Sequence, residues 1–299
     1  GAAMPYTTLG AGLFGDGLRL NDPGPTSTAP GSLDPGKTTA GAVINDGRNI
    51  AVITYDLQLL PTVLPADVIP NTATLTNYAS TEGGPNFLPP DGISDETTVT
   101  VVSPTAVKTL VDTSIIDANN SRTQAVIGEL ATFELTVKVP EGTTPDALVV
   151  DTLPAGLAFV QMVGTPVVDP GITVDGSSSP ANPAFTPAVT NNGQTLTFTL
   201  GDIVNTNPDR QLHGFTLRYQ AVVLNVSGNI SNKTLTNSAK LTWTGHTELP
   251  AASASPVTVI EPKLKIDKTV DKTTAQAGDT VTFTIVLSHT AQSQTDAHN

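Results

Sequence analysis

Hydrophobic and polar residues alternate one by one along much of this chain, the period of two that belongs to β-strands with one face buried. The runs 133–139, 147–151, 195–200, 215–224 and 235–243 all alternate in this way and predict strands. Clusters such as Asp169-Pro170-Gly171 and Asn191-Asn192-Gly193 read as turns between them, and no long stretch of 3.6-residue period predicts a helix. The pattern predicts an all-β chain of tandem immunoglobulin-like β-sandwiches. Two inward faces carry an odd polar residue. Leu264, Ile266, Lys268 and Val270 share one face, and Leu235, Asn237, Ala239, Leu241 and Trp243 share another. A buried amine or amide without a partner costs on the order of several kcal/mol, so both positions call for an explanation.

Two segments of the chain echo each other. Ile53-Thr54-Tyr55-Asp56-Leu57-Gln58, followed by 69–76, matches Leu217-Arg218-Tyr219-Gln220-Ala221-Val222 followed by 235–242. Lys108-Thr109-Leu110-Val111-Asp112 matches Lys268-Thr269-Val270-Asp271, and Gly128-Glu129 with its strand matches Gly278-Asp279 with its own. An offset of roughly 160 residues signals tandem repeats. Residues 105–261 read as one complete sandwich. Residues 1–104 read as the later part of a repeat lacking its first strands, and 262–299 as the opening strands of a further repeat, so a second sandwich is split between the two ends of the chain. Two arrangements explain this: an excerpt of a longer tandem array, or a filament in which 262–299 of one chain complete 1–104 of the next by strand donation.

Composition narrows the function classes. Of 299 residues only 4% are aromatic and 14% charged, a balance that suits short strands joined by polar turns. A net charge of −13 argues against nucleic acid, whose phosphates require Lys and Arg, and fits a soluble exposed protein. Without cysteine there is no disulfide, thiolate chemistry or cysteine-bound metal, so a durable β-protein needs another fastening. No run of about 18 apolar residues predicts a membrane span.

The ordered combination of Lys108, the Val149-Val150-Asp151-Thr152-Leu153-Pro154-Ala155-Gly156-Leu157 segment and Asn237-Ser238-Ala239 resembles a bacterial surface repeat. It is similar to the domain-of-unknown-function-11 repeat family and to its relatives, the isopeptide-forming domains of fimbrial shafts and collagen-adhesin type A modules. That resemblance implies an amide bond between a first-strand lysine and a last-strand asparagine, assisted by a carboxylic acid: Lys108, Asn237 and Asp151, with Glu129 as the alternative acid. The chemistry is reasonable, since burial favours neutral forms, a neutral amine is a nucleophile, and a carboxyl group can shuttle the proton. In the split repeat the matching pair is Lys268 with Asn71, joining two subunits, and its aspartate is absent. Each residue also has a plain structural reading: Lys108 reaching water at a domain edge, Asn237 serving backbone groups, Asp151 capping a turn.

Other chemistry is thin. His213, His246, His289 and His298 show no metal-protease spacing, and Ser177-Ser178-Ser179 lacks a nucleophile elbow. No enzyme activity is expected beyond a single-turnover self-cross-link, and no cofactor. Asp91, Asp95 and Glu96, and separately Asp16, Asn21 and Asp22, offer oxygen ligands suited to calcium without an EF-hand pattern. Asn119, Asn225, Asn229 and Asn232 sit in glycosylation sequons. The leading expectation is a structural subunit or stalk of an extracellular bacterial filament or surface protein, partnered by copies of itself or neighbouring repeats. The alternative is an adhesin module gripping a host or surface ligand through its loops, with the long loop 168–192 and its single aromatic, Phe185, as the surface.

Overall fold

A computed structural model of the chain describes residues 13–14, 38–39, 42–43, 53–60, 62–79, 84–114, 121–246 and 249–297. The fold is nearly all β. The chain divides into two compact units, one formed by Gly1–Leu60 with Ile69–Val99 and the other by Pro61–Val68 with Thr100–Asn299. In the first, strand β1 (Val68–Leu75) pairs with β2 (Ile93–Thr100), and the side chains along both are largely exposed.

The second unit holds the sandwich. Its strands are β3 (Thr105–Thr113), β4 (Leu130–Val139), β5 (Gly142–Thr152), β6 (Leu157–Met162), β7 (Thr195–Asn205), β8 (His213–Val223) and β9 (Ser238–Thr242). One sheet runs β3–β4–β8, with β6 and the short Val167–Val168 strand also on β8. The other runs β7–β5–β9, extended by Ile172–Val174 on β7 and Ala252–Ser253 on β9. All these pairs are antiparallel. A hairpin of β10 (Leu264–Val270) and β11 (Phe283–His289) follows, exposed along most of both strands.

Strict alternation builds the core. Ala131, Phe133, Leu135, Val137 and Val139 of β4 and Phe215, Leu217, Tyr219, Ala221 and Val223 of β8 are buried from one sheet. Ala147, Val149, Leu196, Phe198, Leu200, Ala239 and Leu241 meet them from the other. Each large side chain among them contributes about 2 kcal/mol, so the set together outweighs the several kcal/mol that a paired buried ion costs. That surplus lets the sandwich hold charged groups inside. Trp243 ends the inward series of β9 and donates its indole N–H to Pro65 O at 3.1 Å, which fastens 61–68 to this unit.

The stretch 168–192, expected as a long loop, is ordered by short strands instead. Ile172–Val174 and Ala188–Thr190 both pair with β7, and Asn182 caps a single 3₁₀ turn through Ala184 N. Phe185 is buried, its ring 4.9 Å from that of Phe215, so it is core and not a presented contact. Pairing to β7 overrides the Ser- and Pro-rich composition because Phe185 and Ile172 seal the sandwich at that edge.

Candidate functional site

Four polar side chains meet between the two sheets. Lys108 comes from β3, the outer strand of the first sheet, and Tyr219 from β8. Asp151 comes from β5, at the centre of the second sheet, and Asn237 sits just before β9. Alternation places each one. Asp151 occupies the next inward position after Ala147 and Val149, and Tyr219 falls between Leu217 and Ala221. Asn237 falls where the final strand is interrupted between Leu235 and Ser238. There its carbonyl accepts from Ala254 N at 2.9 Å, so the backbone is anchored while the amide points inward.

All four residues are buried. Lys108 Nζ is ion-paired and hydrogen-bonded to Asp151 Oδ2. It also donates to the Tyr219 hydroxyl at 2.7 Å, with Nζ 4.1 Å from the tyrosine ring centroid and 5.5 Å from that of Phe133. Asn237 Nδ2 donates to the same hydroxyl at 2.6 Å, and that hydroxyl donates to Asp151 Oδ2 at 2.8 Å. Tyr219 thus uses its proton and both lone pairs to tie the lysine, acid and amide together. Two oxygens are left over: among the described residues neither Asp151 Oδ1 nor Asn237 Oδ1 meets a donor. Buried acceptors without a partner are rare in folded proteins, and a pair in one cluster points to chemistry at the spot.

Burial acts on the titrating groups. Removal from water lowers the Lys108 pKa from 10.5 to about 8, against the opposing pull of the Asp151 charge and hydrogen bond. At pH 7 about a tenth of such an amine is neutral, against roughly one part in 3,000 for an exposed lysine, a gain of about 300-fold in nucleophile. Burial, reinforced by the Asp151 charge, pushes the Tyr219 hydroxyl well above its ordinary value, so it stays protonated. The arrangement therefore holds an amine, an amide, a carboxyl group and a proton-bearing hydroxyl together in a dry space.

The structure gathers Lys108, Asp151 and Asn237 into one cluster. Glu129 is elsewhere: it is buried in the turn before β4, where its Oε2 accepts from Val126 N at 3.0 Å. Lys268, read as inward-facing, is exposed, with Nζ 4.8 Å from the Phe283 ring centroid. Nothing among the described residues covers that face of the hairpin. Asn71 is half-buried and donates to the Tyr55 hydroxyl at 2.8 Å. Asp91, Asp95 and Glu96 are exposed and do not converge, Glu96 accepting from the Thr72 hydroxyl at 2.7 Å. Among the described residues no group of three or more His, Asp or Glu side chains is gathered as a cation would need. Asp16, Asn21, Asp22, Asn119 and His298 lie outside the described residues. Tyr219 escaped the sequence reading because a tyrosine in an inward series reads as core. The signal was there in the echo of Tyr55 with Tyr219, each standing before an inward asparagine.

No family model matches the chain, and no curated protein matches it. Among solved structures it is similar to BcpA, the major pilin subunit of Bacillus cereus, at 16% identity and TM-score 0.31, over 67% of this chain and 65% of that one. It is similar to the pilus backbone RrgB from Streptococcus pneumoniae at 19% identity and TM-score 0.31, over 49% and 34%. It is similar to the full-length major pilin SpaD from Corynebacterium diphtheriae at 15% identity and TM-score 0.29, over 59% and 40%. The chain spans from about a third to just under two thirds of the length of these structures. At TM-scores this low the likeness carries no function across, and the likeness to the domain-of-unknown-function-11 repeat rests on the motifs alone.

Proposed function

We propose that the chain is a structural subunit of an extracellular bacterial filament or surface stalk, and that its sandwich is fastened by an amide bond formed between Lys108 and Asn237. The observation that carries this reading is the buried Lys108–Asp151–Tyr219–Asn237 cluster, which links the first strand of the sandwich to its last across both sheets. A proton passes from the lysine to Asp151, which leaves a neutral amine and a neutral acid with no net charge in the core. Lys108 delivers the proton to Oδ2, and rotation of the carboxyl group would turn that acid O–H toward Asn237 Oδ1, which would give the amide oxygen its missing donor and polarise the carbonyl. Lys108 Nζ then attacks Asn237 Cγ. The Nζ–Cγ bond forms, the Cγ–Nδ2 bond breaks, and ammonia leaves with the proton that the amine gives up through Asp151. Confinement supplies the effective molarity of an intramolecular reaction.

The benefit is mechanical. With no cysteine in the chain, such a bond takes the place a disulfide would hold. Tension entering at residue 108 would leave at residue 237 through the bridge, so the strands between carry no load. Pulling single molecules from the two termini tests this. The bridged chain should extend about 440 Å less than a Lys108→Met variant, the length of roughly 130 shielded residues at ~3.4 Å each. Equal extension of the two would reject the mechanical reading.

A further inference from the structure

Two apolar faces among the described residues stand open, and the chain itself shows what closes faces of this kind. Strands β10 and β11 repeat β3 and β4 in register: Lys268 pairs with Ile285 as Lys108 does with Leu135, and Val270 with Phe283 as Leu110 does with Phe133. The preceding turns agree as well. Gly128 and Gly278 have φ of 88° and 96°, and Glu129 and Asp279 each accept from the backbone N–H three residues earlier, at 3.0 and 2.9 Å. Yet Phe133, Leu135 and Val137 are fully buried, whereas Phe283, Ile285 and Leu287 are 60%, 60% and 65% exposed. What seals the first hairpin is β8 along its edge and the β5–β9 layer over its face.

The sequence that would seal the second hairpin recurs at 53–60 and 69–75. Ile53, Tyr55, Leu57 and Leu59 alternate as Leu217, Tyr219, Ala221 and Val223 do in β8. The latter four are buried, while Tyr55 is 39% and Leu57 62% exposed. Each segment also carries half of the polar cluster. Asn71 donates to the Tyr55 hydroxyl at 2.8 Å as Asn237 does to Tyr219 at 2.6 Å. Lys268 lies 4.8 Å from the Phe283 ring centroid as Lys108 lies 5.5 Å from that of Phe133.

We infer that the β10–β11 hairpin of one copy docks on residues 53–60 and 69–75 of a second copy, burying the two open faces against each other and bringing Lys268 to Tyr55 and Asn71. The contact is heterologous, so repetition yields an open filament. The association inferred is non-covalent docking. This names the partner within the filament reading and rests on it. The cross-link is read by mass and the docking by assembly, so either can fail alone.

Sedimentation of the 299-residue chain with two variants tests the docking. Ile285→Asp spoils the hairpin and Leu57→Asp spoils the acceptor, both at exposed positions where folding is undisturbed, as circular dichroism would verify. The unaltered chain should form concentration-dependent oligomers, each variant alone should be monomeric, and an equimolar mixture should give dimers and nothing longer. An unaltered chain that stays monomeric, a variant that assembles unaided, or a mixture that stays monomeric would each overturn the inference.

Discussion

Replacing Asp151 by Asn removes the acid and changes the cluster by one atom. The isosteric amide keeps the packing of β5 but cannot carry a proton between Lys108 and Asn237, so the bond should not form. The cost follows from the loop that the bond closes. Lys108 and Asn237 enclose about 130 residues, and a link of that span removes roughly 5 kcal/mol of unfolded-state entropy. For a domain near 150 residues each kcal/mol shifts Tm by about 2–4 °C, so the variant should melt 10–20 °C lower. Asp151→Asn also leaves Lys108 buried without its counter-charge, which adds to the loss. Lys108→Met separates the two contributions, since it abolishes the bond while replacing the buried charge with an apolar chain of similar length. Calorimetry on the three proteins gives the midpoints, with Lys108→Met expected to show most of the drop. A Lys108→Met protein that melts with the unaltered chain would show that no covalent closure stabilises the sandwich.

Two further outcomes follow from the same cluster. In an Asn237→Ala protein no bond forms and Lys108 keeps its lowered pKa, because burial lowers it and outweighs the opposing pull of Asp151. Between pH 8 and the ordinary lysine value near 10.5 the unfolded chain binds more protons than the folded one, so stability should rise with pH across that window by about 3 kcal/mol. Below pH 8 both states are protonated and the lysine contributes no slope. A urea midpoint that is flat or falling from pH 8 to 10 would contradict the burial argument. Tyr219→Phe removes the hydroxyl shared by amine, acid and amide, a loss of about 1.5–3 kcal/mol where charged partners are involved. Cross-linking should slow by ten-fold or more with the fold retained, as timed by mass after synthesis. An unchanged rate would assign Tyr219 to packing alone.

The sandwich was legible in the chain because alternation is local: the series through Phe133, Leu135 and Val137 or through Leu196, Phe198 and Leu200 needs no tertiary information. Lys108, Asp151 and Asn237 were legible as a set because motif order adds to alternation, and the geometry brings them together. What escaped depends on long-range partners. The strands Ile172–Val174 and Ala188–Thr190 are too short to show a period, and only pairing to β7 makes them strands. The fastening of Pro65 to Trp243 joins residues far apart in sequence. Lys268 shares the pattern of Lys108 yet is exposed, since alternation tells which face a residue takes and not whether anything covers that face. Tyr219 was hidden because an inward tyrosine hydroxyl looks the same in sequence whether it serves one partner or three.

The intact mass of the folded, purified chain measures the central claim directly. A bond between Lys108 and Asn237 releases one ammonia, so the mass should lie about 17 Da below the sum of the residues, and Lys108→Met and Asn237→Ala should each show their full calculated masses. An unaltered chain at its full mass would contradict the cross-link.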